Sequence, residues 1–136
     1  MTDMSGEMDL QKLLGSMSAT LVDGTYVFAT LPTEKVPQGL VPRMMFHEAE
    51  GVTLIVLQSE ADAHGLASEF PCRMITLNVH SALEAVGFIA HIASELAAHG
   101  MGVNPVAGYY HDHLFVPAGR EQDALEVLRA IAADAA

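Results

Sequence analysis

Ser81, Glu84, Gly87 and Asp112 are the residues whose types and spacing suit work on a small charged molecule. Ser81 and Glu84 form the Ser-x-x-Glu capping box that opens a helix. Free amides at a helix N-terminus favour an anion such as an α-carboxylate by a few tenths to ~1 kcal/mol. Gly87 in the first turn leaves the amides of Val86 to Phe88 unshielded by a side chain. Asp112, leaving a hairpin, supplies the counter-charge for an ammonium group. The alternative is that Ser81, Glu84 and Gly87 only cap a helix and let it approach a strand, while Asp112 stabilises a turn.

Other chemistries fit less well. His111 and His113 fall on one side of a strand and His80 ends a neighbouring strand, so three imidazoles with Asp112 outline a zinc site. Asp112, however, points to the opposite strand face, and His-x-His is a weak pattern alone. These histidines are expected at the rim of the site or at an interface, with no metal and no other cofactor. Cys72 is the only cysteine. Pairing it with His80 as a nucleophile and base fails on reach, because one extended strand would hold them ~26 Å apart. It reads as a small core hydrophobe. Of Tyr109 and Tyr110, one ring is expected in the core and the other outward. Met44, Met45 and the amino-terminal methionines read as gap-fillers or tail.

Composition narrows the function classes. The chain has 136 residues, 51% hydrophobic and 17% charged, with a formal net charge of −11. One compact domain or two intimately packed small units is expected. The negative field repels phosphate backbones, so nucleic acid is not an expected partner. The start, MTDMSGEMD, lacks the basic and apolar regions of a signal peptide. The apolar segment from Ala85 to Ala98 is interrupted by His91, Ser94 and Glu95 and is too short to span a bilayer. A cytoplasmic protein, off the membrane, is expected. High apolar content in a small chain also points to a subunit interface, and a homodimer is the expected assembly.

The elements that must position these residues follow from periodicity. Asp9 to Met17 is a short amphipathic helix, with Leu10, Leu13 and Leu14 on one face. ATLVDGTYVFATL predicts two strands joined as a hairpin at Asp23-Gly24. Pro32, Pro37, Gly39 and Pro42 leave little room for helix. RMMFHEAEGVTLIVLQ predicts a hairpin turning at Ala49 to Gly51, and Ser59 opens a brief helix. A strand carries Met74, Ile75, Leu77 and Val79. A helix from Ser81 to Gly100 presents Val86, Ile89, Ala90, Ala93, Leu96 and Ala97. Strands at Gly102–Tyr109 and Asp112–Pro117 and a helix at about Arg120–Ala133 complete the chain.

The second half is therefore β-α-β-β-α. The first half reads as a worn copy of it, with the proline-rich Pro32–Pro42 segment where a helix should stand. EGVTLIVLQSEADAHGL parallels HDHLFVPAGREQDALEVL.

The run from Met74 to Pro117, MITLNVHSALEAVGFIAHIASELAAHGMGVNPVAGYYHDHLFVP, resembles a family of small bacterial proteins built of two ACT-like units. Val86-Gly87-Phe88 and Asp112-His113-x-x-Val116-Pro117 are its most specific words. The chain is also similar to the ACT units of cytosolic arginine sensors and, more loosely, to aspartate kinase regulatory domains. The resemblance spans Tyr26 to Leu128. It implies an α+β, ferredoxin-like (ACT) sandwich in tandem duplication with a degenerate first unit: residues 1–17 as a helical segment, 18–69 and 70–136 as the two units.

The resemblance further implies a non-catalytic regulatory or sensor module, not an enzyme. It would bind an amino acid or similar small zwitterion at an inter-unit or inter-subunit site. By the same resemblance, Leu83, Glu84, Ala85, Val86, Gly87 and Phe88 form the ligand loop, and Gly108, Tyr109 and Asp112 the facing hairpin. The arginine sensors have an acidic residue where Ala85 stands and a hydroxylated one where Gly108 stands, which argues against arginine itself. The rival is a structural or protein-interaction dimer with no ligand.

Overall fold

The computed structural model describes residues 6–136; Met1 and Met4 lie outside the described residues. The elements, in order, are α1 (Leu10–Ser16), β1 (Ala19–Leu21), β2 (Tyr26–Leu31), a 3₁₀ turn (Thr33–Lys35), β3 (Met44–His47), β4 (Val52–Leu57) and α2 (Gln58–Ala63). Then come β5 (Glu69–Leu77), α3 (Phe88–Ala98), β6 (Asn104–Ala107), β7 (Asp112–Pro117) and α4 (Glu121–Ala135). They form two compact units, a larger one of residues up to Val22 with Arg73–Ala136, and a smaller one of Asp23–Cys72. The boundary between them falls within β5.

In the smaller unit β4 lies between β2 and β3, and both pairings are antiparallel. Val27, Val52, Leu54, Val56 and Ala61 make its core. The first part of β5 joins β2 through an irregularity between Tyr26 and Phe28. There Phe70 takes a left-handed φ of 58°, a conformation a bulky side chain adopts only under constraint. Its ring meets that of Phe28 at 5.9 Å.

In the larger unit β1 pairs with β5, β7 neighbours β5, and β6 pairs with β7. Helices α1, α3 and α4 cover one continuous core that includes Leu13, Leu77, Ile92, Leu96, Leu114 and Leu128. Asp9 caps α1 by accepting from the Lys12 amide at 3.1 Å. The apolar spacing of α4 buries Ala124, Leu125, Val127, Leu128 and Ile131. Cys72 is fully buried, and burial pushes its thiol up to about 11, so it stays a thiol at neutral pH.

The duplicated pattern is explicit in the burial of the strands. Val52–Leu57 and Asp112–Pro117 share one burial sequence, and Tyr26–Leu31 repeats that of Met74–Val79. The β3–β4 register pairs Met44 with Ile55, and the β6–β7 register pairs Asn104 with Phe115, 60 residues further on in each case. What differs is the connection before each hairpin: α3 has 11 residues, whereas the smaller unit has only the three-residue 3₁₀ turn.

Three local expectations are corrected. Asp23-Gly24 does not close a hairpin, because β1 pairs with Ile75–Leu77 while β2 pairs along its whole length with β4. Longer-range strand edges outcompete a good two-residue turn. Ser59 does not cap α2, whose N-cap is Leu57 without a side-chain hydrogen bond. The helix expected from Ser81 begins only at Phe88, and its buried face is Phe88, Ile92 and Leu96.

Arg73 and Glu121 fix the start of α4 through an ion pair of 3.0 Å, about four-fifths buried on both sides. Its own backbone amide, with the Gly119 amide and Arg73, holds the Glu121 carboxyl below its ordinary 4.5, against a raising effect of burial. A depressed carboxyl contributes stability above the unfolded-state pKa and loses it as pH falls through the folded-state value. Glu121→Gln is therefore expected to flatten the fall in stability below about pH 4.5. Urea midpoints measured from pH 7 to pH 3 check this; equal acid sensitivity in both proteins would refute it.

Candidate functional site

The segment between β5 and α3 forms an irregular loop over Ser81–Gly87, and its conformation explains why no helix starts there. Ser81 Oγ donates to Asp112 Oδ2 at 3.0 Å, so its hydroxyl is committed to the hairpin. Ala85 N donates to Ala82 O at 2.9 Å, closing a turn. Gly87 then takes φ 93°, ψ −10° as the N-cap of α3, with no side-chain cap hydrogen bond. This left-handed geometry suits glycine and strains other residues. The first backbone bond of the helix runs from His91 N to Gly87 O at 2.9 Å. The amides of Phe88, Ile89 and Ala90 therefore precede it without an intrahelical acceptor.

Those amides border a cavity of about 240 Å³ whose wall includes Ser81, Ala85, Gly87, Ile89, Ala90 and Asp112. Asp112 is 7% exposed and is the buried charged side chain of the described core. Its position follows from β7: the alternation that buries Leu114 and Val116 turns the first residue of the strand inward as well. No lysine or arginine lines the cavity. Positive potential comes from the helix end, negative charge from Asp112. That pairing matches a molecule carrying both signs. The volume lies below the ~300–1,000 Å³ of drug-sized sites and suits a small metabolite.

Of the residues expected at the site, Leu83, Ala85, Gly87, Phe88 and Asp112 line this cavity, while Glu84, Val86, Gly108 and Tyr109 do not. Leu83 and Val86 face outward, 67% and 83% exposed. Phe88 lends its backbone, since its ring sits in the core. Gly108 closes the hairpin tip by donating to His111 O at 2.9 Å. A Cβ there would lie 2.8 Å from that oxygen, so a larger residue requires a different tip. Tyr109 and Tyr110 are both largely exposed, which corrects the expectation of one core ring. They meet edge to face at 5.0 Å and flank the His80 ring. His80 Nε2 is buried without a hydrogen-bond partner. His113 Nδ1 instead meets Thr76 Oγ1 at 3.0 Å. Among the described residues no three His, Cys, Asp or Glu side chains are grouped to hold a metal ion.

Periodicity gave no sign of a further part of the site. Glu7 forms a parallel bridge with Ser81: its amide donates to His80 O at 2.7 Å, and Ala82 N donates to Glu7 O at 2.9 Å. Gly6, at φ 95°, makes this approach possible, because a Cβ there would stand 2.4 Å from Ala82 N. The Glu7 carboxylate accepts from the Met8 and Asp9 amides, turning the chain into α1. The only signal in the sequence was a glycine ahead of the Asp9 cap. Gly6→Val is expected to break the bridge and speed amide exchange at Ala82 about tenfold or more, with α4 amides unchanged. Unchanged exchange at Ala82 would show that the bridge does not hold the loop.

Comparison with known proteins agrees with this architecture. Residues 5–73 match one ACT domain model and residues 69–130 a second. A crystal structure of a Vibrio cholerae protein of unknown function, described as a possible transport protein, is 43% identical. It superposes with a TM-score of 0.80 over 90% of this chain and 95% of that one. An Agrobacterium tumefaciens protein is 16% identical, with a TM-score of 0.72 over 85% and 89% of the two chains. The regulatory subunit of aspartate kinase from Thermus flavus is 10% identical, with a TM-score of 0.64 over 84% and 96%. The last two likenesses concern fold alone. No curated protein matches the sequence.

Proposed function

Because the chain belongs to the ACT-domain family, as two tandem units of ferredoxin-like α+β fold, we propose that it is a non-catalytic regulatory module that binds an amino acid or similar small zwitterion. The carrying observation is the buried Asp112 carboxylate, held by Ser81 across a cavity from the uncapped amides at the start of α3. The ligand's carboxylate sits against the amides of Phe88 to Ala90 and its ammonium group against Asp112. In the cytoplasm such a site reads the concentration of a metabolite, and regulation follows if the ligand prefers one of two arrangements.

A second reading has its own support. Leu83, Val86, Tyr109 and Tyr110 are large exposed hydrophobic side chains on the loop and hairpin tip of one unit. Such surface favours a homodimer interface beside the cavity. With ligand binding, the dimer buries the site's rim; without it, the protein is an interaction module only.

A thermal-shift screen of the full chain against the twenty amino acids separates the two. A ligand at one hundred times its Kd stabilises by ~2.7 kcal/mol, several degrees in midpoint for a chain of this size. Midpoints indifferent to every amino acid at millimolar concentration, together with a dimer in light scattering, would leave the interaction module standing and the sensor refuted.

A further inference from the structure

In the larger unit α3 covers Met101, which is 4% exposed. By the shared hairpin register its counterpart in the smaller unit is Val41, which is 76% exposed. The smaller unit has no helix there, and a cavity of about 530 Å³ lies open, lined by Tyr26, Val41, Pro42, Arg43, Leu57 and Glu60. The polar residues in it are ordered. The Arg43 guanidinium lies 5.5 Å from the centre of the Tyr26 ring and donates through Nη2 to Tyr26 Oη at 2.7 Å. Tyr26 is 2% exposed, so the guanidinium is anchored on a buried side chain.

Among the described residues Arg43 and Arg129 have no ion-pair partner, whereas Arg73 and Arg120 each have one. The Arg43 guanidinium is held on a tyrosine, with no carboxylate within ion-pair distance among the described residues. Glu60, which also lines the cavity, accepts from Val41 N through Oε2 at 3.4 Å. A fixed guanidinium recognises a planar carboxylate, and a carboxylate lining the same cavity rejects a second negative charge and favours an ammonium.

We propose that this cavity is a second small-molecule site, for a zwitterion whose carboxylate meets Arg43 and whose amine meets Glu60. It is independent of the Asp112 site, and here both charges of the ligand are met by side chains. The volume falls within the usual range of small-molecule pockets, ~300–1,000 Å³.

The test is an NMR titration of the full chain with glycine, 4-aminobutyrate and acetate, with sodium chloride as the ionic-strength control. The reporters are the Arg43 Nε–H and Tyr26 amide signals. At least one zwitterion should saturate these shifts about tenfold more tightly than acetate. Glu60→Gln should bring that zwitterion level with acetate, and Arg43→Met should abolish saturation while the amide spectrum of β4 stays folded. Arg43→Gln serves if the Met variant fails to fold. Asp112→Asn should leave the titration unchanged. Shifts no different from those of sodium chloride, or surviving in Arg43→Met, would overturn the proposal. Loss of the shifts in Asp112→Asn would also overturn it, assigning the binding to the other cavity. A thermal shift that depends on Asp112 but not on Arg43 would leave the first site standing while this one falls.

Discussion

Leu96→Ala is expected to cost about 3 kcal/mol of stability and to lower the urea midpoint accordingly. Leu96 is fully buried, and α3 is held to its core by only three buried side chains, Phe88, Ile92 and Leu96. Removing the isobutyl group loses its transfer free energy and leaves a cavity that close-packed neighbours fill only partly. Total stabilities of ~5–15 kcal/mol make this a large fraction. The effect also reaches function, because the seating of α3 places the amides of Phe88 to Ala90 on the cavity wall. A loss below about 1 kcal/mol would mean that α3 is not packed as described.

Asp112→Asn is expected to weaken amino-acid binding by about tenfold to a hundredfold while leaving the unliganded thermal midpoint nearly unchanged. The amide oxygen still accepts from Ser81 Oγ, as Asp112 Oδ2 does at 3.0 Å, so the loop keeps its anchor. What disappears is the negative charge opposite the ligand's ammonium. Calorimetric titration with the amino acid found by thermal shift checks this, with scanning calorimetry of the free proteins beside it. Unchanged affinity would remove Asp112 from the site. A midpoint drop of many degrees would make the residue structural instead.

The sequence signals that succeeded were those of long periodic segments. The spacing of Leu125, Leu128 and Ile131 marked α4, and the alternation in MITLNV and VTLIVL marked strands whose burial patterns now match in the two units. Local signals failed where they competed with distant partners. Ser81 and Glu84 spell a capping box, yet the Ser81 hydroxyl bonds to Asp112, thirty-one residues away. Asp23-Gly24 spells a hairpin, yet its flanking strands take other neighbours.

By itself, then, the sequence determined the duplicated β-α-β-β-α order and the missing helix of the first unit. Each of these rests on apolar periodicity or chain breakers, which act within a few residues. Only the tertiary structure decided that Asp112 is buried, that Gly6 and Glu7 brace the loop, and that Arg43 lies on Tyr26 beside Glu60. Those outcomes depend on which hydrogen-bonding edges and charges meet across tens of residues. That choice is made by the packed chain as a whole, not by any short stretch of it.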